Sequence, residues 1–181
     1  MVVEARWPWR GTHWCHLVSD DNLGELHAFA ARLGCRRIGF QGDHYDIDVD
    51  TRAFAVELGA ETCSSRELVR RLRNAGLRLR PSSFTKWSLV GSWQTDVTPE
   101  SLLRDLGSLP DVATESLRRM NGERLDGAFR VSRPRAQALV LLGAGLHPPE
   151  REDPSRGVYV RQNRQGGWSL EVVDPPLADH E

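Results

Sequence analysis

The chain has 181 residues, of which 39% are hydrophobic and 27% are charged, and its formal net charge is −1. A chain of this length and apolar content can build one large domain or two small ones, and its near-neutral charge gives no general attraction to nucleic acid or membranes. Three cysteines without a C-x-x-C pair, no N-terminal signal pattern and no long apolar run indicate a soluble, cytoplasmic protein without a membrane segment.

Residues 1–81 alternate between strand-like and helix-like segments. An apolar strand is predicted over residues 13–19, and the apolar spacing of residues 23–33 predicts a helix that ends at Gly34. Residues 37–48 lead into a second strand, and a short helix follows over about 51–58. Ser64 and Glu67 form a capping box that opens a third helix. This β-α-β-α-α order predicts a small N-terminal α/β unit.

The second half of the chain has a different character. Residues 82–97 read as a linker, and Thr98-Pro99 is a strong helix start. Within the segment 98–174 we expect further helices over 111–120 and from Ser132 to Leu142, followed by a β-hairpin whose turn lies at 163–167. Residues 175–181 are expected to form a tail. The predicted fold class is therefore α/β, or α+β, with a helical segment and a C-terminal hairpin after the first unit.

The segment Gly42–Asp48 is the most informative stretch of the sequence. If it is extended, its side chains alternate between two faces, so His44, Asp46 and Asp48 share one face. Successive members of that row are about 6.5–7 Å apart along the strand. An imidazole and two carboxylates at this spacing can bind a divalent cation or supply an acid and a base.

Other histidines and aspartates in the first unit enlarge this candidate site. The metal ligands that we predict are His16, Asp20, His27, His44 and Asp46. Imidazoles and carboxylates together form a plausible ligand set for Zn, Mn or Fe. Two alternatives remain open, a hydrogen-bonded polar network or an acid–base site without metal. For His27 the alternative is a structural histidine at the edge of the core.

A metal-dependent hydrolase that acts on a phosphoester or a nucleotide is the leading functional hypothesis. A metal would polarise a phosphoryl oxygen and acidify a bound water. Asp43 or Asp48 would then be the catalytic base, and Arg10 or Arg37 would steady the phosphate.

A second hypothesis is a non-enzymatic module that binds nucleic acid or a nucleotide. Its candidate residues are aromatic and basic side chains, namely Trp7, Trp9, Arg10, Arg66, Arg70 and Arg73. Aromatic planes can stack on bases and arginines can contact phosphates. These residues can equally form a packed arm and a solvated helix face. A third hypothesis is a regulatory interaction protein whose second half contacts a partner.

Five short blocks in the first half of the chain occur in an order that resembles one family. The blocks are Trp7–Arg10, His16–Asp20, Leu26–Ala30, Gly42–Asp46 and Ser65–Arg70. Over residues 1–80 the chain resembles the bacterial and phage family named domain of unknown function 4031. The resemblance implies a bacterial, cytoplasmic protein with a domain boundary near residue 80, and it implies no particular activity. Residues 98–181 resemble no family.

Overall fold

The structure is a computed structural model that divides into two compact units, residues 1–84 and residues 85–178. It describes residues 2–3, 7–9, 11–79, 84–107, 109–120, 122–145, 148 and 150–178. Each unit contains a β-sheet together with helices, so the mixed α/β class predicted from the sequence is confirmed.

Among its described residues, the first unit contains five strands and three α-helices. The strands are β1 (Val2–Val3), β2 (Trp7–Trp9), β3 (Thr12–Leu17), β4 (Tyr45–Asp48) and β5 (Thr62–Cys63). The helices are α1 (Leu23–Arg32), α2 (Val49–Glu57) and α3 (Ser65–Asn74), and a 3-10 turn spans Arg37–Gly39. The short strands β1, β2 and β5 are additions to the predicted β-α-β-α-α order.

Strand β3 is the centre of the first sheet. It pairs antiparallel with β4 along one edge and with β1 and β2 along the other, while β1 also pairs parallel with β5. Its side chains alternate as expected for a half-buried strand, since Cys15 and Leu17 are fully buried in the hydrophobic cluster and His16 is only half-buried. The opposite face of the strand therefore carries the polar residues.

Three side-chain caps fix the starts of the helices in this unit. Asn22 accepts the backbone N–H of Glu25 at 2.8 Å, and Ser64 caps α3 as the sequence predicts. Asp48 accepts the backbone N–H of Thr51 at 2.8 Å and so begins α2 directly after β4. Asp48 is thus both the last residue of β4 and the N-cap of α2.

The described part of the second unit combines an antiparallel sheet with two α-helices. The strands are β6 (Ser88–Trp93), β7 (Gly127–Arg133), β8 (Ala136–Ala144), β9 (Val158–Gln162) and β10 (Gly167–Asp174), in the spatial order β6-β7-β8-β10-β9. The helices are α4 (Pro99–Asp105) and α5 (Asp111–Arg119), and a 3-10 turn spans Pro154–Arg156. The predicted hairpin is present as β9 and β10.

The predicted helix from Ser132 to Leu142 is wrong. This stretch forms the end of β7, a turn at Pro134-Arg135 and most of β8. Leu139, Val140 and Leu141 are all essentially buried, so both faces of β8 are covered. A continuous apolar run of this kind has no period of two and mimics helical spacing.

The predicted linker over residues 82–97 contains β6, which pairs with β7 at the edge of the second sheet. The Ser, Gly and Trp residues of this segment suggest a linker by composition. An edge strand makes backbone hydrogen bonds along one side and buries little apolar surface, so its sequence lacks a strong strand pattern. Leu89 and Val90 are accordingly 67% and 58% exposed. Of the predicted tail, residues 175–178 are described and contain no regular element. Within the described ranges, no helix has the length and apolarity needed to cross a membrane.

Candidate metal centre

Two imidazoles and one carboxylate converge on the polar face of β3 and β4. His16 in β3 is the Cα partner of Asp46 in β4, and His44 precedes Asp46 by two positions, which puts all three on one face. One ligand atom from each lies within 4.8 Å of the others. The side chains of His16, Asp46 and His44 are 36%, 30% and 18% exposed, so the trio opens to solvent on one side.

Asp46 shows an unusual environment for a carboxylate. Its Oδ1 lies 3.8 Å from Nε2 of His16 and 3.6 Å from Nε2 of His44, and among the described residues this buried atom accepts no hydrogen bond. Its Oδ2 accepts a hydrogen bond from Gln41 Nε2. Buried carboxylate oxygens normally have a partner, so Oδ1 marks a position where a cation would supply the missing interaction.

A chain of hydrogen bonds orients His44. Its Nδ1 lies 2.6 Å from Asp43 Oδ1, and Asp43 Oδ2 accepts from Arg78 Nη1 at 2.7 Å and from the Leu79 backbone N–H at 3.1 Å. When Nδ1 donates to Asp43, Nε2 of the neutral ring carries a lone pair that faces Asp46. The arrangement is the carboxylate–histidine pairing that holds metal-binding imidazoles in proteins.

The tight turn that precedes β4 brings Asp43 and His44 to this position. The backbone N–H of Gln41 donates to the carbonyl of His44 at 2.8 Å, and Gly42 has a φ of +91°. A Cβ at Gly42 would lie 3.0 Å from Leu79 and 3.1 Å from Phe84. Glycine is therefore required both for the backbone conformation and for the close packing of the segment that carries Arg78.

Burial and neighbouring groups shift the pKa values of His16 and Asp43. Burial first, and then the adjacent His44, hold the pKa of His16 below its ordinary value, although Asp46 acts in the opposite direction. Burial alone would raise the pKa of Asp43, but hydrogen bonds from His44, Leu79 and Arg78 outweigh it and lower that pKa. His16 is thus neutral and Asp43 ionised near pH 7, the forms needed for a ligand and its orienting carboxylate.

The distances within the trio suit a first-row metal ion. Zn–N bonds of about 2.0–2.1 Å in tetrahedral geometry place neighbouring ligand atoms roughly 3.3–3.5 Å apart. The separations of 3.6 and 3.8 Å around Asp46 Oδ1 need only a small closure to reach that range. Two imidazoles and one carboxylate also match the sets that bind Zn in hydrolases and non-haem Fe(II).

Two of the five predicted ligands lie elsewhere. Nδ1 of His27 lies 3.0 Å from the hydroxyl of Tyr45, and its ring packs edge-on against Phe40. Tyr45 alternates with His44 and Asp46 along β4, so His27 is on the opposite, buried face. Asp20 is exposed and lies 3.6 Å from Arg71, which also pairs with Glu61 and Glu67.

The four residues predicted for catalysis have different positions in the first unit, and one of them is not described by the structure. Asp43 orients His44, and Asp48 caps α2 while sharing the face of Asp46. Arg37 is 5% exposed, and its guanidinium lies over the ring of Phe40 in the hydrophobic cluster. Arg10 lies outside the described residues.

The surface predicted for nucleic acid is described only in part. The backbones of Trp7 and Trp9 form β2, but their side chains lie outside the described part of the structure, as does Arg10. The arginines at positions 66, 70 and 73 are exposed on α3, and Arg70 makes two hydrogen bonds to Glu67, at 2.6 and 2.8 Å. Part of this basic face is therefore neutralised locally.

Sequence reasoning missed Gln41 and Arg78. Gln41 adjoins the turn at Gly42, and its proximity to Asp46 could have been inferred once a hairpin-like return was assumed. Arg78 reaches Asp43 across 35 positions of sequence, and no periodicity signals such a contact.

Comparisons with known proteins yield one match. No curated protein and no solved structure matches this chain significantly. Residues 1–75 match the family described as "Protein of unknown function (DUF4031)", which confirms the predicted resemblance for that part of the chain, and the remaining residues match no family.

Proposed function

We propose that the first unit binds one divalent transition-metal ion through His16, His44 and Asp46 and uses it to hydrolyse a phosphoester. The observation that supports this proposal most strongly is the buried Asp46 Oδ1, which faces two imidazole nitrogens at 3.6 and 3.8 Å and has no hydrogen-bond partner in the described part of the chain. In the tautomer in which Nδ1 of His44 donates to Asp43, the Nε2 lone pair and Asp46 Oδ1 repel each other, and a cation between them would remove that repulsion.

The exposure of the trio favours a catalytic metal over a structural one. Structural zinc sites have four protein ligands and are closed, whereas catalytic sites have three and leave a position for water or substrate. Here the side chains of His16 and Asp46 remain 36% and 30% exposed. The open side would admit a phosphoryl oxygen and a water molecule.

In this proposal a water molecule attacks the phosphoester, and a nearby carboxylate accepts the proton of that water. A metal held by His16, His44 and Asp46 would supply an acidified water. In the hydrolysis, the water oxygen would form a bond to phosphorus and the bond from phosphorus to the leaving oxygen would break. Asp48 is the acceptor for the water proton, because it follows Asp46 by two positions on the same face and Thr51 occupies only its Oδ1. Solvent protonates the leaving oxygen.

Arg78 is a cation that is linked to the candidate site through Asp43. Its Nη1 donates a hydrogen bond to Asp43 Oδ2, and 36% of its side chain is exposed. A guanidinium has five N–H donors in a fork that matches phosphate oxygens, so Arg78 can hold Asp43 and contact an anion together. This favours a phosphoester over a neutral substrate.

A hydrolysis assay on tag-free protein tests the proposal. The protein is incubated with p-nitrophenyl phosphomonoester and phosphodiester in the presence of Zn²⁺, Mn²⁺ or a chelator. We expect metal-dependent release of nitrophenol that His16→Ala abolishes and His27→Ala preserves. Turnover that survives the chelator, or equal turnover in both variants, would contradict the proposal.

A further inference from the structure

Trp14 lies beside the candidate metal centre on the same face of the sheet. It precedes His16 by two positions in β3, and its Cα partner in β4 is Asp48, just as Asp46 is the partner of His16. Cys15, between them, is fully buried on the other face, while Trp14 is half-buried. The indole therefore stands on the polar face, next to the trio.

The groups on this face follow a fixed order along the strands. The row formed by Trp14 and Asp48 comes first, the row of His16 and Asp46 second, and His44 third. Asp43, which adjoins His44 in the turn, brings Arg78 to that third position. An aromatic plane thus lies at one end, a guanidinium at the other, and the three ligands between them.

The spacing of these groups matches one nucleotide. Trp14 and His16 are about 6.5–7 Å apart along the strand, a separation comparable with that between the phosphate and the base of a single nucleotide. A phosphate bound at the ligands would place its own base above the indole. Every nucleobase presents a π-face, so stacking on one tryptophan contributes affinity without demanding one base.

We infer that the substrate is a nucleotide phosphoester, single or at the end of a strand, whose base stacks on Trp14. This inference rests on the proposed function for the position of the phosphate. It adds a residue that contacts the substrate and a substrate class that the ligand set alone does not specify.

Calorimetric titration of the full-length, tag-free protein tests the inference without requiring turnover. The probes are adenosine 5′-monophosphate and ribose 5-phosphate, which share the phosphate and the sugar and differ by the base. With Mn²⁺ present we expect the nucleotide to bind roughly tenfold tighter or better, the range of one stacked base. Trp14→Ala should remove that preference, and Trp14→Phe should retain most of it.

Two controls separate a loss of stacking from a loss of fold or metal. Trp87→Ala removes a half-buried tryptophan of the second unit and should leave the preference unchanged. His44→Ala, or a chelator, should weaken both probes alike while the ratio of their affinities persists. Thermal melting of each variant shows whether it remains folded.

The outcomes distinguish this inference from the proposed function. Equal affinity for the two probes, absence of binding by either, or an unchanged preference in folded Trp14→Ala would overturn the nucleotide inference and leave the metal site standing. A preference that depends on Trp14 but persists in protein that takes up no metal would support the nucleotide inference and remove the hydrolase.

Discussion

Asp43 and His44 are neighbours in the sequence and hydrogen-bond to each other through Oδ1 and Nδ1 at 2.6 Å. The bond fixes the ring so that Nε2 faces Asp46 Oδ1 at 3.6 Å. Arg78 and the Leu79 backbone N–H hold the other oxygen of Asp43. A residue pair within one tight turn is thereby linked to the segment that follows α3, and this linkage orients the candidate ligand.

Asp43→Asn should weaken metal binding without removing a ligand. The amide keeps the shape of the side chain but lacks the charge that orients His44, and such changes cost about 10–100-fold in metal affinity. Titration of the metal-free protein with Zn²⁺ against a competing chelator measures this loss. An unchanged affinity would show that Asp43 does not act through His44.

Asp48→Ala is the matched control for Asp43→Asn. It removes a carboxylate five positions away that caps α2. Loss of this cap should lower the free energy of unfolding by about 0.5–2 kcal/mol. Metal affinity should remain close to that of the wild type, since Asp48 is not one of the three ligands.

His27→Ala should reduce stability and leave metal uptake unchanged. The substitution removes the hydrogen bond to Tyr45 and the packing against Phe40, at a cost of about 1–2 kcal/mol of unfolding free energy. Urea unfolding measures the loss, and elemental analysis measures the metal. Metal loss in a folded His27→Ala protein would place this histidine in the site, contrary to the structure.

The stability of the metal-free protein should fall as the pH drops below about 6.5. Burial and then His44 hold the pKa of His16 below its ordinary value of 6.5. Between that value and the lower folded-state pKa, the unfolded chain binds more protons than the folded one, so acidification favours unfolding. In melting curves recorded from about pH 7.5 to about pH 5, His16→Gln should show a shallower decline than the wild type. A parallel decline would contradict the assignment.

Gly143→Ala should destabilise the second unit. Gly143 is the Cα partner of Trp168, and an added Cβ would lie 2.2 Å from the indole, whose Nε1 donates to the Ala144 carbonyl at 3.1 Å. Displacing this ring should cost about 1–3 kcal/mol. Gly39→Ala is the control, because its Cβ would make an ordinary 3.8 Å contact with Tyr45. Equal melting temperatures for the two variants would contradict the strand assignment.

Local signals were sufficient for much of the fold. Helix starts at Asn22, Ser64 and Thr98 were predictable because each cap satisfies backbone donors within three residues. Strand β8 could not be predicted from local signals, because a strand buried on both faces has no period of two to distinguish it from a helix. Strand β6 could not be predicted either, since its assignment depends on pairing with β7, which lies almost 40 positions later in the sequence.

The candidate site shows the same division between local and distant signals. Alternation along the strand placed His44 and Asp46 on one face, as the structure shows. The register of β3 against β4, which brings His16 opposite Asp46, is a tertiary property. The sequence could not exclude His27, because the helical spacing that points it toward the sheet does not reveal which face of the sheet it meets.

The metal content of tag-free protein, measured by elemental mass spectrometry, tests the central claim most directly. The protein is loaded with Zn²⁺ or Mn²⁺ and desalted, with His44→Ala and His27→Ala treated in parallel. We predict close to one ion per chain in the wild type and in His27→Ala, and almost none in His44→Ala. A wild type that retains no ion, or a His44→Ala protein that retains as much as the wild type, would contradict the claim that His16, His44 and Asp46 form a metal centre.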